Sequence, residues 1–388
     1  MNHRISRVRA LAVALLSLPT FSHAALAQLA VSANDGKAVL VNGANTIPAS
    51  PAEDTVTIID LGVSPPKVVG ELKAPSSVVG PPQNVAISPD ESIALVASNT
   101  RLDPADPKKL VPDNKLSVID LKAKPPAVIA TVETGLGPAG SSFNRAGTLA
   151  LVANRNDGTV SVYTVSGKTL TAAGKVNLGN PKSGPSSVAL SPDGKMALVT
   201  RDGDHKISIL SVDGSNVEDT KIAMTGGIRP YAIQISPKGD IAVVGNQGGN
   251  SGDIDTINVI DLKGKSPRIV HTLDVGQIVE GLAFSNDGNF VALTAQDGSA
   301  RPQSHAFYND KGLAVVFKVD GTNLTKVGEA RIGKWNQGIV WSRDGKTLLA
   351  QNMVENSLSV LSFDGKTLKV TGEIKVKGGP AGLRTSER

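Results

Sequence analysis

Cysteine is absent from the 388 residues. That excludes disulfides, thiolate metal centres, a cysteine nucleophile, Cys-x-x-Cys-His haem attachment and lipid acylation of an N-terminal cysteine. Aromatic residues make up only 3% of the chain, with two Trp and three Tyr. Single-stranded nucleic acid is held by stacking on such rings, so neither a nucleic acid nor a carbohydrate platform is expected. The chain contains no P-loop, dinucleotide fingerprint, His-Glu-x-x-His pair or EF-hand loop. No apolar run reaches the ~20 residues a membrane helix needs.

One short apolar run does carry a signal. Arg4, Arg7 and Arg9 precede Ala10–Leu18, Pro19 breaks the run, and Ala25-Leu26-Ala27 offers a small-x-small cleavage site. Residues 1–27 therefore read as a secretory signal peptide and 28–388 as one exported domain, located in the periplasm with no membrane span after cleavage. The leader arginines account for three units of the formal net charge of +5. What remains is close to neutral, so no strongly polyanionic partner is expected.

Forty glycines and twenty-three prolines point to many turns. The stretch Pro185–Thr200 shows how they are used: alternating apolar residues run into Ser191-Pro192-Asp193-Gly194, and an apolar run leaves it. Proline presets φ, aspartate bonds its own backbone, and glycine takes positive φ, so the stretch predicts a strand, a tight corner and a strand. Related corners end at residues 36, 91, 147, 194, 239, 288 and 345, with steps of 45 to 57 residues. Between them lie further strands such as Leu116–Leu121, Ile207–Leu210 and Leu358–Leu361, and a fourth such as Ala127–Val132. Four strands per repeat, seven times, predicts an all-β chain: a seven-bladed β-propeller of four-stranded antiparallel blades. Either Pro380–Ser386 or Leu29–Ser32 can supply the inner strand of the first blade, and the sequence leaves that open.

Leu116–Leu121, Val128–Val132, Gly137-Pro138 and Ala150–Asn154 together resemble the YVTN-type propeller repeat and the lactonase-like seven-bladed propellers of bacteria. The resemblance spans nearly all of the chain after residue 27. It implies the propeller fold and raises lactone hydrolysis as an activity. Lactonase-like propellers often carry a histidine before an inner strand. The corresponding positions here are Asn84, Gly140, Ser187, Ala232, Gly281 and Gly338.

In such a blade the loop before strand one and the loop between strands two and three share a face. Those second-to-third loops are long at Gly43–Asp54, Asn99–Asn114, Gln247–Asp255 and Gln296–Gly312, whereas the corners stay short. Binding residues gather on long loops over a rigid scaffold. The expected ligand-binding ring is Asn99, Arg155, Arg201, Asp202, Arg229, Tyr231, Gln247, Gln296, Asp297, Trp335, Asn336 and Asn352. Arg155, Arg201 and Arg229 suit a carboxylate or phosphate, unless each pairs with Asp157, Asp202 or Asp204. Glu280 is the one carboxylate at the head of an inner strand and reads as a general base. Beside Asp297 and Asn352 it reads as a ligand for a divalent cation in the channel. No other cofactor is evident. His305, in the longest insertion, is the second candidate catalytic group. The functions these features admit are a periplasmic module binding a small anion or another exported protein, a lactonase-like hydrolase or isomerase, and a scaffold subunit of a periplasmic redox complex.

Overall fold

The computed structural model describes residues 28–387, so the proposed signal peptide lies outside the described residues. Seven four-stranded antiparallel sheets follow one another around a ring. Blade 3 is representative: Pro138–Phe143, Leu149–Asn154, Thr159–Ser166 and Thr169–Asn177, from the inner strand outwards. Among the described residues no helix is long and apolar enough to cross a membrane.

The corners form for the reasons their residues imply. Ser191 Oγ donates to Asp193 Oδ1 at 2.6 Å and accepts from Met196 N at 3.0 Å. Gly194 has φ of +69°. The Ser191 hydroxyl holds the Asp193 carboxyl below its ordinary range. Ser285 with Asp287 and Ser342 with Asp344 repeat the device, each at 2.6 Å.

Successive residues of a strand face opposite flanks, and here both flanks are covered. In blade 5, Ile241 and Val243 pack against Leu282 and Leu293 of blade 6. Ala242 and Val244 pack against Leu198 and Ile209 of blade 4. This explains why the strands read as continuous apolar runs. A fully buried Leu or Ile contributes about 1.5–3 kcal/mol, and every interface between blades holds several. Near the axis the inner strands approach so closely that side chains are excluded. A Cβ on Gly140 would lie 2.6 Å from Ser187 Cα, and one on Gly281 would lie 2.5 Å from the Gln337 carbonyl oxygen. The positions compared above with the histidine of lactonase-like propellers are thus, at Gly140 and Gly281, contacts between blades.

The first repeat differs from the sequence expectation. Its inner strand is Gly379–Thr385, and Leu29–Asp35 is its second strand. Ala33–Gly36 is therefore no corner: Asn34 and Asp35 end a second strand at the mouth, and the first and last described residues, Gln28 and Glu387, stand where other blades have their corner. Glu91 bridges that gap from blade 2. It takes positive φ (+55°) at the glycine position and reaches Arg343 of blade 7 at 3.2 Å and Ser386 at 2.9 Å. Two insertions are also more ordered than loops. Residues 99–114 largely extend the strands Ile93–Leu102 and Leu110–Asp120, and 36–54 holds a small hairpin, Val39–Val41 with Ala44–Thr46.

Candidate functional site

The ends of the second strands decide which side chains reach the channel mouth. Asn34, Asn154, Asn246 and Asn352 close the second strands of blades 1, 3, 5 and 7. Each donates from Nδ2 to strand three of its own blade, for example Asn154 to Thr159 Oγ1 at 2.9 Å and Ser161 Oγ at 3.0 Å. The residue after the second strand turns instead toward the mouth, as Arg155, Gln247 and Gln296 do.

A cavity of about 410 Å³ opens there. Arg155, Arg229, Tyr231, Gln247, Glu280 and Gln296 supply its polar lining. Val78, Trp335 and Ala300 belong to one apolar cluster on its other side, joined by Leu40 of the small hairpin. Arg301, from the longest insertion, completes the lining. Glu280 is the single carboxylate among these lining residues.

Glu280 is 4% exposed. Its Oε1 accepts from Gln247 Nε2 at 3.0 Å and Gln296 Nε2 at 2.7 Å. Burial pushes its carboxyl up to about 8, against the opposing pull of the Gln296 amide and the Arg229 guanidinium. Arg155 pairs with Asp202 and lies 5.7 Å from the centre of the Tyr231 ring. Arg229 donates to Gln247 Oε1 at 2.8 Å and stands 3.9 Å from Asp202. Burial pushes the Tyr231 hydroxyl upward, so it remains a neutral donor.

Six of the expected ligand-binding residues line the cavity together with Glu280: Arg155, Arg229, Tyr231, Gln247, Gln296 and Trp335. The others are placed elsewhere. Arg201 occupies the asparagine position of blade 4, where it pairs with Asp204 and donates to Ser208 Oγ at 3.0 Å. Asp202 lies outside the lining and reaches the site through Arg155 and, at 3.9 Å, Arg229. Asn99 donates to the Gly137 carbonyl at 2.8 Å, and Asn336 donates to Asn352 Oδ1 at 3.0 Å. Asp297 is committed to Arg331 and Asn352 to Ser359, so neither joins Glu280 as a cation ligand. Among the described residues no cluster of three or more acidic or histidine side chains is placed to hold a metal.

His305 does not line the cavity. Its Nδ1 accepts from Phe307 N at 3.1 Å, and its Nε2 lies 3.3 Å from Arg301 Nη1. It stands behind Arg301, which also donates to Gln277 at 2.8 Å. Arg301 is the charged lining residue that sequence reasoning missed, and Asn45 and Asn250 are missed with it. The only signal for Arg301 was a lone arginine in the longest insertion. Deeper in the channel, Gln83 spans from blade 2 to blades 4 and 5. It donates to the Ile233 carbonyl at 2.9 Å and accepts from Ile233 N at 3.0 Å and from Ser187 Oγ.

Residues 113–283 match the family model described as Lactonase, 7-bladed beta-propeller. No curated sequence matches the chain. The fold superposes on a putative 6-phosphogluconolactonase from Bacteroides uniformis ATCC 8492 with a TM-score of 0.70 and 17% identity, covering 92% of this chain and 99% of that one. The periplasmic gluconolactonase of Pseudomonas aeruginosa gives 0.67 and 18%, with 92% and 99% covered. Hydrazine synthase of Kuenenia stuttgartiensis gives 0.62 and 17%, with 80% and 90% covered. At these identities the likeness concerns the fold, which hosts many functions. Seven sheets in a closed ring make this chain a seven-bladed β-propeller, and its middle blades match the lactonase family of that fold.

Proposed function

We propose that the chain is an exported propeller that binds a small, hydroxyl-bearing anion in the mouth cavity. The observation that carries this reading is the imbalance of charge: three arginines, Arg155, Arg229 and Arg301, line one cavity with a single carboxylate, Glu280. Asp202 pairs with Arg155 and stands 3.9 Å from Arg229, but it lies outside the lining. Guanidinium forks favour carboxylate and phosphate oxygens, while Gln247, Gln296 and Tyr231 offer hydrogen bonds to hydroxyls. The leader-like residues 1–27 support export, and a periplasmic relative of the same fold is consistent with it.

A second reading is hydrolysis of a sugar-acid lactone in the same cavity. The raised carboxyl of Glu280 favours it, because a general base works best when its pKa lies near the working pH. Ionised Glu280 takes a proton from water as the water oxygen attacks the lactone carbonyl. The ring C–O bond then breaks, and the departing oxygen takes that proton back from Glu280. The arginines stabilise the negative oxygen between these steps.

Calorimetric titration with D-gluconate tests the first reading. Binding to the wild type that weakens at least about tenfold in Arg229→Gln, a loss of about 1.4 kcal/mol, supports it. No binding to the wild type, or undiminished binding to the variant, refutes it. Turnover of D-glucono-1,5-lactone above the spontaneous rate, lost in Glu280→Gln, supports the second reading. A rate equal to the spontaneous one refutes it.

A further inference from the structure

The two oxygens of the Glu280 carboxyl sit in unlike settings. Oε1 accepts from two side-chain amides, Gln247 and Gln296. The orientation of the first is fixed, because Gln247 Oε1 is taken by the Arg229 guanidinium. Its Nε2 must therefore face Glu280. A proton on this carboxyl has only one place left, Oε2. That oxygen is buried and has no hydrogen-bond partner in the protein. Arg155, which lines the same cavity, has its Nε likewise buried without an acceptor. Buried polar atoms left unpaired cost about 1–3 kcal/mol each, and two of them on residues that line one cavity point to a ligand that completes both.

The charged and titratable groups that bear on Glu280 are few. Arg229 and Tyr231 come from blade 5, Arg155 from blade 3 and Arg301 from the insertion of blade 6, while Asp202 pairs with Arg155 and stands 3.9 Å from Arg229. Asp255 of blade 5, pushed up to about 6 by burial, accepts from Ile278 N and acts on Arg229 and Arg301; it is common to the wild type and to Glu280→Gln. An ionised Glu280 would set a bare negative oxygen against an incoming anion. A neutral one offers it a donor.

We infer that Glu280 meets the bound anion as a carboxylic acid, whose Oε2–H donates the hydrogen bond that selects a carboxylate oxygen of the ligand. Arg155 Nε donates to the other oxygen. The ligand class is thus narrowed to a small carboxylate. This inference rests on the anion-binding reading and opposes the hydrolytic one, in which the same group must be ionised. Binding therefore carries a proton with it. Above the pKa of Glu280, pushed up to about 8, each pH unit weakens binding toward tenfold.

The test is calorimetry with D-gluconate from pH 6.5 to 9.5, in two buffers of different ionisation enthalpy. The gluconate carboxyl does not titrate in that range. Expected are an affinity that is level at the acid end and falls above about pH 8, and proton uptake that rises toward one per ligand. In Glu280→Gln the amide does not titrate, so the fall and the proton uptake should vanish. Infrared spectra of the gluconate complex at pH 7, wild type minus variant, should show the C=O stretch of a protonated carboxyl. That band decides the matter if the variant no longer binds. A wild-type affinity that does not depend on pH, an unchanged pH profile in the variant, or absence of the band overturns the donor role and leaves anion binding intact. No gluconate binding at any pH overturns the anion reading itself.

Discussion

Replacing Glu280 by glutamine should make the ligand-free protein more stable at alkaline pH and change little at acid pH. The folded carboxyl is pushed from an ordinary value of 4.5 up to about 8 by burial. The folded state therefore holds the proton more tightly than the unfolded state. Below pH 4.5 both states are protonated and the group contributes no penalty. As pH rises toward 8 the unfolded chain ionises freely while the folded one resists, and stability falls. A separation of about 3.5 units at 1.36 kcal/mol each gives a penalty of about 5 kcal/mol, an upper bound because relaxation and water entry reduce it. Glutamine keeps an oxygen for the Gln247 and Gln296 amides and cannot ionise. The assay is urea unfolding of wild type and Glu280→Gln at pH 5 and pH 9. The stability difference between the two proteins should shift by about 3–5 kcal/mol in favour of the variant at the higher pH. Groups distant from Glu280 titrate alike in both proteins and cancel. Parallel stability curves across that range would refute the claim that the carboxyl is held neutral by burial.

Two further outcomes follow from the packing. Arg155→Ala takes the close partner from the buried Asp202 carboxylate and leaves it only Arg229 at 3.9 Å, so urea unfolding at pH 7 should show a loss of up to about 3–5 kcal/mol; a loss under about 1 kcal/mol would mean that solvent or Arg229 replaces the guanidinium. Deleting residues 379–388 removes the inner strand of blade 1 and leaves Leu29–Asp35 unpaired on one side. Hydrogen exchange should then show lost protection in blade 1 and along the facing flanks of blades 2 and 7, and unchanged protection there would refute closure by the C-terminal strand.

The fold was legible because each blade repeats a physical solution that leaves a mark in sequence. Corners need Ser, Asp and Gly at fixed offsets, and strands buried on both flanks read as unbroken apolar runs. The first blade was misread for the same reason: Asn34-Asp35-Gly36 imitates a corner, yet it ends a second strand. The site was only half legible. Glu280, Arg155 and Arg229 were found from their offset to the inner and second strands. Arg201 was misplaced because consecutive residues at a strand end point in opposite directions, and a shift of one position exchanges a channel-facing side chain for one that braces its own blade. Arg301 and the roofing hairpin belong to insertions without a repeat, so no offset could locate them. Asp297 and His305 show the same difficulty, since their loops direct them to Arg331 and Arg301 rather than to the cavity.

The meeting of Gln28 and Glu387 beside blade 1 has a practical consequence. Gln28 and Glu387 both line a small hollow with the corner residues Pro192 and Pro237, at the pole away from the mouth. An affinity handle, fluorescent label or surface tether attached at the C-terminus would therefore hold the molecule by its base. The opening that contains Glu280 would face the bulk solution, ready for titration on a sensor chip without steric interference from the attachment.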